Sequence, residues 1–400
     1  MSALLEKLAP ESALVDDRYG DIRRRAHQRL MQQGFPDFKT EAWKYTSLRV
    51  LEKRDLGVSV APAAAAPTLP FDADVLHFDA GRLDPASIRC PAGVRLEPLE
   101  PAELLSVDYG DRAGAMAWLN LARFEQAWRL VIEASLARPL VLAMTTSSDF
   151  DAGVHPRLKI EVAAGVEAVL IEHQRDAGAG LVNIVEDIEL ARGAKLRHVI
   201  SRRLAESVWV QRTRVAVAAD AEYRCHALDL AGRLVRQDLA VHLQEAGAVG
   251  EVDGVTFIDS RQHVDWHTAI EHEVGHTNSH ESFRILADGT GVGVFNGRIH
   301  IQRGADDSHS ELNTANLLLS ENARINTKPE LEIYAEEVTA SHGATIGQLE
   351  DSALFYLRSR GLPVDQAMGL LKMGFAAAPL ESAEPEDVRD WLLADLAERL

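Results

Sequence analysis

Gly165-Val166, Gly193-Ala194, Asp220-Ala221 and Gly247-Ala248 are four small turn pairs, each leading into an apolar segment, with steps of 28, 27 and 27 residues between them. Self-similarity at periods of about 20–50 residues is the signature of solenoids and arrays. Between the turns the hydrophobic period is two. Leu158, Ile160 and Val162 alternate with polar or small residues, as do Leu239, Val241 and Leu243, then Val292 and Val294, then Ile299 and Ile301. Such alternation marks half-buried strands. No long helical pattern interrupts the stretch from Arg157 to Gly304, which argues against a βαβ sheet, where every crossover needs a helix. A strand-only unit of this length fits one coil of a parallel β-helix with an outer loop, its strands stacked on the next coil at about 4.8 Å. A β-sandwich would show the same alternation; the regular step favours the solenoid.

Helical patterns flank this core. Ile22, Ala26 and Leu30 recur every four residues until Gly34-Phe35-Pro36 stops the helix. The cluster Arg23-Arg24-Arg25 on it reads as a solvated face. Lys39-Thr40-Glu41-Ala42-Trp43-Lys44-Tyr45-Thr46 sets two aromatics among charges, a pattern expected to pin a helix to a core. The Ala/Pro-rich run from Ala61 to Pro70 holds no regular element and marks a boundary. Residues 112–128 predict a short helix. At the other end, Ala353, Leu354 and Leu357 form one stripe ended by Gly361. Pro363 starts a second helix, with Val364, Ala367, Met368 and Leu371 on one face and Gly374 ending it. Pro385 opens a third helix, with the face Val388, Trp391, Leu392 and Leu396. Solenoid ends expose unpaired backbone and need covering, and this C-terminal tail is the expected cover. The division predicted is an N-terminal helical segment and linker over 1–74, a parallel β-helix core over 75–347 and a C-terminal helical domain over 348–400.

A chain of 400 residues folded compactly buries roughly three-quarters of its extended surface. Its 42 Lys and Arg against 61 Asp and Glu give a net charge of −19, a surface that repels phosphate backbones and anionic lipid. Nucleic acid and membrane are therefore not expected partners. Two cysteines, Cys90 and Cys225, form no CxxC pattern, which fits a reducing compartment. Residues 1–20 carry Glu6, Lys7, Glu11, Asp16 and Asp17 rather than an apolar signal core, and no run nears the ~18 apolar residues of a membrane span. A cytoplasmic protein is expected.

Two groups of residues are candidates for metal chemistry. His342 lies in Ala340-Ser341-His342-Gly343-Ala344-Thr345, where small neighbours leave an imidazole open to a metal or another chain, and an acidic segment (Glu330, Glu332, Glu336, Glu337) precedes it. His263, His267, His272, His276 and His280 form the second group. Imidazole suits transition metals, yet neither HExxH nor C2H2 spacing occurs, and a polar outer face accounts for these histidines equally well. In a strand over 263–270, His263, Asp265 and His267 would share one face. The chain contains no GxxxxGK[ST], no GxSxG and no dinucleotide-binding glycine fingerprint, so it supplies neither a P-loop for ATP nor a nucleophile elbow.

Leu317-Leu318-Leu319-Ser320-Glu321, Pro329-Glu330-Leu331-Glu332-Ile333, Ser341-His342-Gly343-Ala344-Thr345 and Phe355-Tyr356-Leu357-Arg358-Ser359-Arg360-Gly361, in that order and spacing, resemble the SufB/SufD family of iron–sulfur cluster assembly proteins. The strong match spans about residues 255–375. Glu41-Ala42-Trp43-Lys44-Tyr45-Thr46, together with the chain length, resembles the SufD branch. The resemblance implies a right-handed parallel β-helix flanked by helices. It also implies a complex with SufB, joined through the β-helices, and with the ABC-type ATPase SufC, docked on the C-terminal helices. By position the docking residues are Phe355, Tyr356, Leu357, Arg358, Arg360, Gly361, Leu371 and Phe375. The histidine of the Ser-His-Gly-Ala-Thr motif, here His342, is implied to lie at the SufB interface where a nascent iron–sulfur cluster forms. Many relatives carry cysteine two residues earlier; this chain has Ala340, so no thiolate can come from that position.

The expected function is a non-enzymatic SufD-like scaffold subunit in which His342 supplies half of a shared cluster site. Clusters commonly require four thiolates, and the partner would have to supply them. The rivals are a SufB-like primary scaffold, a metal-dependent β-helix enzyme acting through His263–His280, and a structural adaptor with an inert His342. A homodimer in the absence of SufB is a further possibility.

Overall fold

The computed structural model describes residues 2–54, 56, 65–85, 88–105, 107–230 and 232–400. Its core is the expected parallel β-solenoid, of about eight turns, with helices at both termini. Strands alternate between two ten-stranded sheets. The first runs from Asp74–Asp79 to Val338–Gly347, and the second reaches Arg324–Ile333. Within each sheet every strand pairs in parallel with its counterpart one coil away. The exceptions are at the N-terminal end, where Arg82–Leu83 and Val94–Pro98 pair antiparallel. The boundary expected over 61–70 falls outside the described residues at 61–64, and residues 65–70 form no helix or strand.

The repeated turn pairs have a backbone cause. Gly165, Gly193, Asp220 and Gly247 all have positive φ, between 57° and 81°. Each turns the chain through the left-handed region that glycine enters freely and aspartate tolerates. The residue after each (Val166, Ala194, Ala221, Ala248) is buried and stacks on the equivalent residue of the next coil. The series continues at His276 and Gly304 with the same backbone sign; Gly304-Ala305 keeps the spelling, whereas His276 is a corner that the Gly/Asp spelling did not reveal.

Alternation then builds three cores. Inward residues of both sheets fill the lumen, among them Leu170, Ile184, Trp209, Val241, Trp266, Phe283 and Phe295. Its middle coils hold a polar belt in which the Arg202 guanidinium donates to Gln174, Asp229, Gln211 and Gln237. Outward residues of the second sheet (Leu181, Val185, Val208, Val210, Leu234) carry the N-terminal helix Gly20–Gln33 and the helix Ala115–Arg123. Outward residues of the first sheet (Val141, Ile171, Val199, Leu228, Val255, Leu286) carry Val388, Leu392 and Leu396 of the last helix, Glu386–Ala397.

This last contact corrects the expectation that the C-terminal tail covers the solenoid's end. The tail lies along the side of the first sheet because that outer face offers an apolar column from Val141 to Leu317. Burying the stripe there removes its apolar area from water. Three smaller corrections follow from packing. Arg23 is buried rather than solvated: it donates to the carbonyl of Phe124 at 3.0 Å and pairs with Asp17. The second C-terminal helix runs through Gly374 to Ala376, held by tertiary contacts. In strand Val292–Ile301 the lumen phase belongs to Phe295, Ile299 and Ile301, so Val292 and Val294 point outward.

Candidate functional site at the open end of the solenoid

The N-terminal edge of each sheet is closed by an antiparallel strand, whereas the C-terminal edge ends on two bare ten-residue strands, Arg324–Ile333 and Val338–Gly347. The sequence 327–345 reads as one acidic strand leading to His342; the structure divides it between the two sheets. Glu330 and Glu332 lie on the outer face of the second sheet, and Glu336 and Glu337 lie in the corner between the sheets. They therefore do not surround His342. Pro329 sits inside its strand, a position open to proline because this strand is an edge.

Register places His342 opposite Leu312, whose side chain fills the lumen. Successive strands extend this inward column through Leu312, Glu281, Val252, Cys225, His198 and Leu170. His342 is thus the last lumen residue of the first sheet, exposed because no further coil covers it. Ala340 and Ala344 flank it on the same face, and a Cβ at Gly343 would meet nothing within 4 Å. Among the described residues its imidazole makes no hydrogen bond or ion pair. Around it the open end presents lumen-facing Ile325, Leu331, Ile333, Val338 and Ile346, with Ile346 46% exposed.

One imidazole on small neighbours can offer one ligand bond. Among the described residues no three His, Cys, Asp or Glu side chains are placed to hold a metal ion together. Cys225 lies in the His342 column but four strand spacings inward, roughly 19 Å at the usual interstrand distance, and burial pushes its thiol up to about 12. Cys90 belongs to the N-terminal end of the solenoid, packed against the lumen cluster.

The histidines between 263 and 280 are dispersed by strand parity. His263 and His267 do share the outer face with Asp265: Thr46 Oγ1 sits 3.0 Å from His263 Nε2, and His267 Nε2 lies 3.1 Å from Asp265. His272 points into the lumen, bonded to Thr277 and Ser279. His276 is a corner, and His280 lies on the first sheet near Asp253 and Glu311. These side chains answer one another or structural hydroxyls and do not converge on one point.

The C-terminal helix Asp351–Ser359 has no buried residue. Phe355 is 74% and Tyr356 57% exposed, with Arg358 and Arg360 also exposed and Leu357 half-buried. A cleft of about 520 Å³ runs between Phe355, Arg358, Gly361 and Val364. Leu371 and Phe375 are half-buried, Phe375 packing on the first-sheet core beneath the Arg284 guanidinium. Sequence reasoning missed Leu370, which with Val364 is an exposed apolar residue of the second helix; its signal was that it stands off the stripe Val364, Ala367, Met368, Leu371.

The model of the SUF-system iron–sulfur cluster assembly SufBD core domain matches residues 143–375. The chain is 28% identical over 386 residues to the iron–sulfur cluster assembly protein SufD of Escherichia coli (strain K12), covering 93% of this chain and 91% of that one. It is 28% identical over 402 residues to the SufBD family protein slr0076 of Synechocystis, covering 93% and 88%. It is 30% identical over 244 residues to the chloroplastic protein ABCI7 of Arabidopsis thaliana, covering 59% and 51%. The solenoid, its bare terminal coil and these matches agree: the chain belongs to the SufBD family of iron–sulfur cluster assembly proteins.

Proposed function

We propose that this chain is a SufD-like, non-enzymatic scaffold subunit that pairs through its bare terminal coil with a SufB-type subunit and carries the ABC-type ATPase SufC on its C-terminal helices. The observation that carries the reading is the open end. Two unpaired sheet edges and an exposed apolar lumen form an unfinished coil, which a second solenoid would complete by main-chain pairing and burial. His342 would then lie inside the junction and offer one ligand to a nascent iron–sulfur cluster whose thiolates come from the partner. A mixed imidazole and thiolate set holds a cluster less firmly than four thiolates, which suits transfer. With no P-loop in the chain, the energy source is the docked ATPase: closure of two ATPase subunits would strain the scaffold and open the junction. Without SufB the same end can pair with its own copy. Two free cysteines support a reducing cytoplasm as the setting of the complex, and no described helix is long and apolar enough to cross a membrane.

The distance from His342 to either thiol speaks against a SufB-like primary scaffold, and the dispersed histidines remove the support for a β-helix metalloenzyme. Co-expression with SufB and SufC, followed by size analysis, tests the assembly. A ternary complex is expected from the native chain, and loss of SufB with retention of SufC is expected from the Ile333→Asp, Ile346→Asp double variant. SufB co-purifying equally with both would contradict the proposed junction.

A further inference from the structure

Charge is divided unequally along the chain. Residues 1–54 hold eleven lysines and arginines against eight carboxylates, while the remainder holds thirty-one against fifty-three. Within this basic segment, Lys39, Lys44, Arg49 and Lys53 are all exposed, and among the described residues none forms an ion pair. Two nearby carboxylates that could neutralise them are engaged elsewhere: Asp37 pairs with Arg112 at 3.5 Å, and Glu41 with Lys328 at 3.1 Å.

The aromatic pair of the Trp43-Lys44-Tyr45 element is split by the structure. Trp43 is 2% exposed; its indole donates to the carbonyl of Ala113 at 3.1 Å and lies under the Arg236 guanidinium. Trp43 therefore does the pinning expected of the pair. Tyr45 is 45% exposed and Phe38 70% exposed. They border a cup of about 710 Å³ whose apolar wall is Leu4, Trp43 and Leu48 and whose rim carries Lys44 and Arg49 together with the carboxylates of Asp37, held by Arg112, and Glu52. The cup is anchored to the solenoid. Arg236 donates to the carbonyl of Ala42 at 2.7 Å, Thr46 bonds Asp265, and the Glu41–Lys328 pair reaches the last coil of the second sheet. Its shape exists before any partner arrives, which lowers the ordering cost of binding.

We propose that this cup is a docking site for an acidic segment of a partner protein bearing an aromatic or aliphatic anchor. The anchor would fill the space between Phe38 and Tyr45, and carboxylates would meet Lys39, Lys44, Arg49 and Lys53. Aromatic anchors in a desolvated pocket ringed by charge are the usual arrangement of a binding hot spot, and opposite charge steers encounter. A long polyanion fits less well, because the surrounding body is acidic; a short acidic segment can confine its carboxylates to the four lysines and arginines, which outnumber Asp37 and Glu52 at the rim. The site neighbours the terminal coil yet stands independently of any role for His342.

Fluorescence anisotropy on the full chain tests this with a labelled short peptide in which glutamates flank a central Phe-Leu pair. Binding should weaken as salt rises, fall about tenfold or more in Lys44→Glu, Arg49→Glu, and fall several-fold in Phe38→Ser, Tyr45→Ser with its salt dependence retained. All four residues are exposed, so melting temperatures should match the native chain. A glutamine version of the peptide should bind at least about tenfold more weakly. Equal peptide affinity in the charge-reversed variant would overturn the proposal. So would a labelled oligothymidylate binding as tightly as the peptide, or failure of the peptide to bind the native chain.

Discussion

His342 and Glu281 occupy the same inward column, two strands apart, and coil coverage alone leaves one exposed and makes the other a buried liability. Both Glu281 carboxyl oxygens are buried without a well-formed hydrogen bond among the described residues, and burial raises the group to about 8, with the nearby Thr268 hydroxyl opposing the shift and Asp253 adding to it. The unfolded carboxyl ionises near 4.5. Between those values the folded state holds a proton that the unfolded state has lost, so stability falls as pH rises, by about 1 kcal/mol per unit. Glu281→Gln removes that decline, and urea midpoints at pH 5, 6.5 and 8 should show the variant gaining on the native chain as pH rises; parallel lines would refute the assignment. His342 was legible as a candidate because its small neighbours are adjacent in sequence. Glu281 was not, because its neighbours in the column come from other coils.

At the level of elements, the helices and most strands were readable because each obeys one period, and their ends fell at Gly34, Gly361, Pro363 and Pro385 for local backbone reasons. What the local pattern could not show was which surface each element would choose. The stripe of Val388, Leu392 and Leu396 is visible in sequence, but its seat exists only once Ile171, Val199, Leu228 and Val255 are aligned by stacking. The acidic run before His342 misled for the same reason, since a corner at 334–337 sends its two halves to different sheets. Leu392→Ala should cost about 2–5 kcal/mol and, in limited proteolysis, expose the C-terminal helices to cleavage before the solenoid; cleavage indistinguishable from the native chain would show that the sheet face does not hold them.

Across the whole molecule the two ends of the solenoid differ in kind. Antiparallel strands close the N-terminal end, and helices cover much of both outer faces, yet the C-terminal coil is left bare where natural solenoids normally place a cap. A single imidazole stands at that edge, with both thiols far along the lumen. The central claim is that this end is half of a cluster site completed by another solenoid. It is tested most directly by iron and acid-labile sulfide analysis of the SufB–SufC–SufD-type complex reconstituted with the native chain and with His342→Ala. The account predicts an intact complex, a melting temperature unchanged because the residue is exposed and unpartnered, and loss of most of the iron and sulfide; native loading in the variant complex would contradict it.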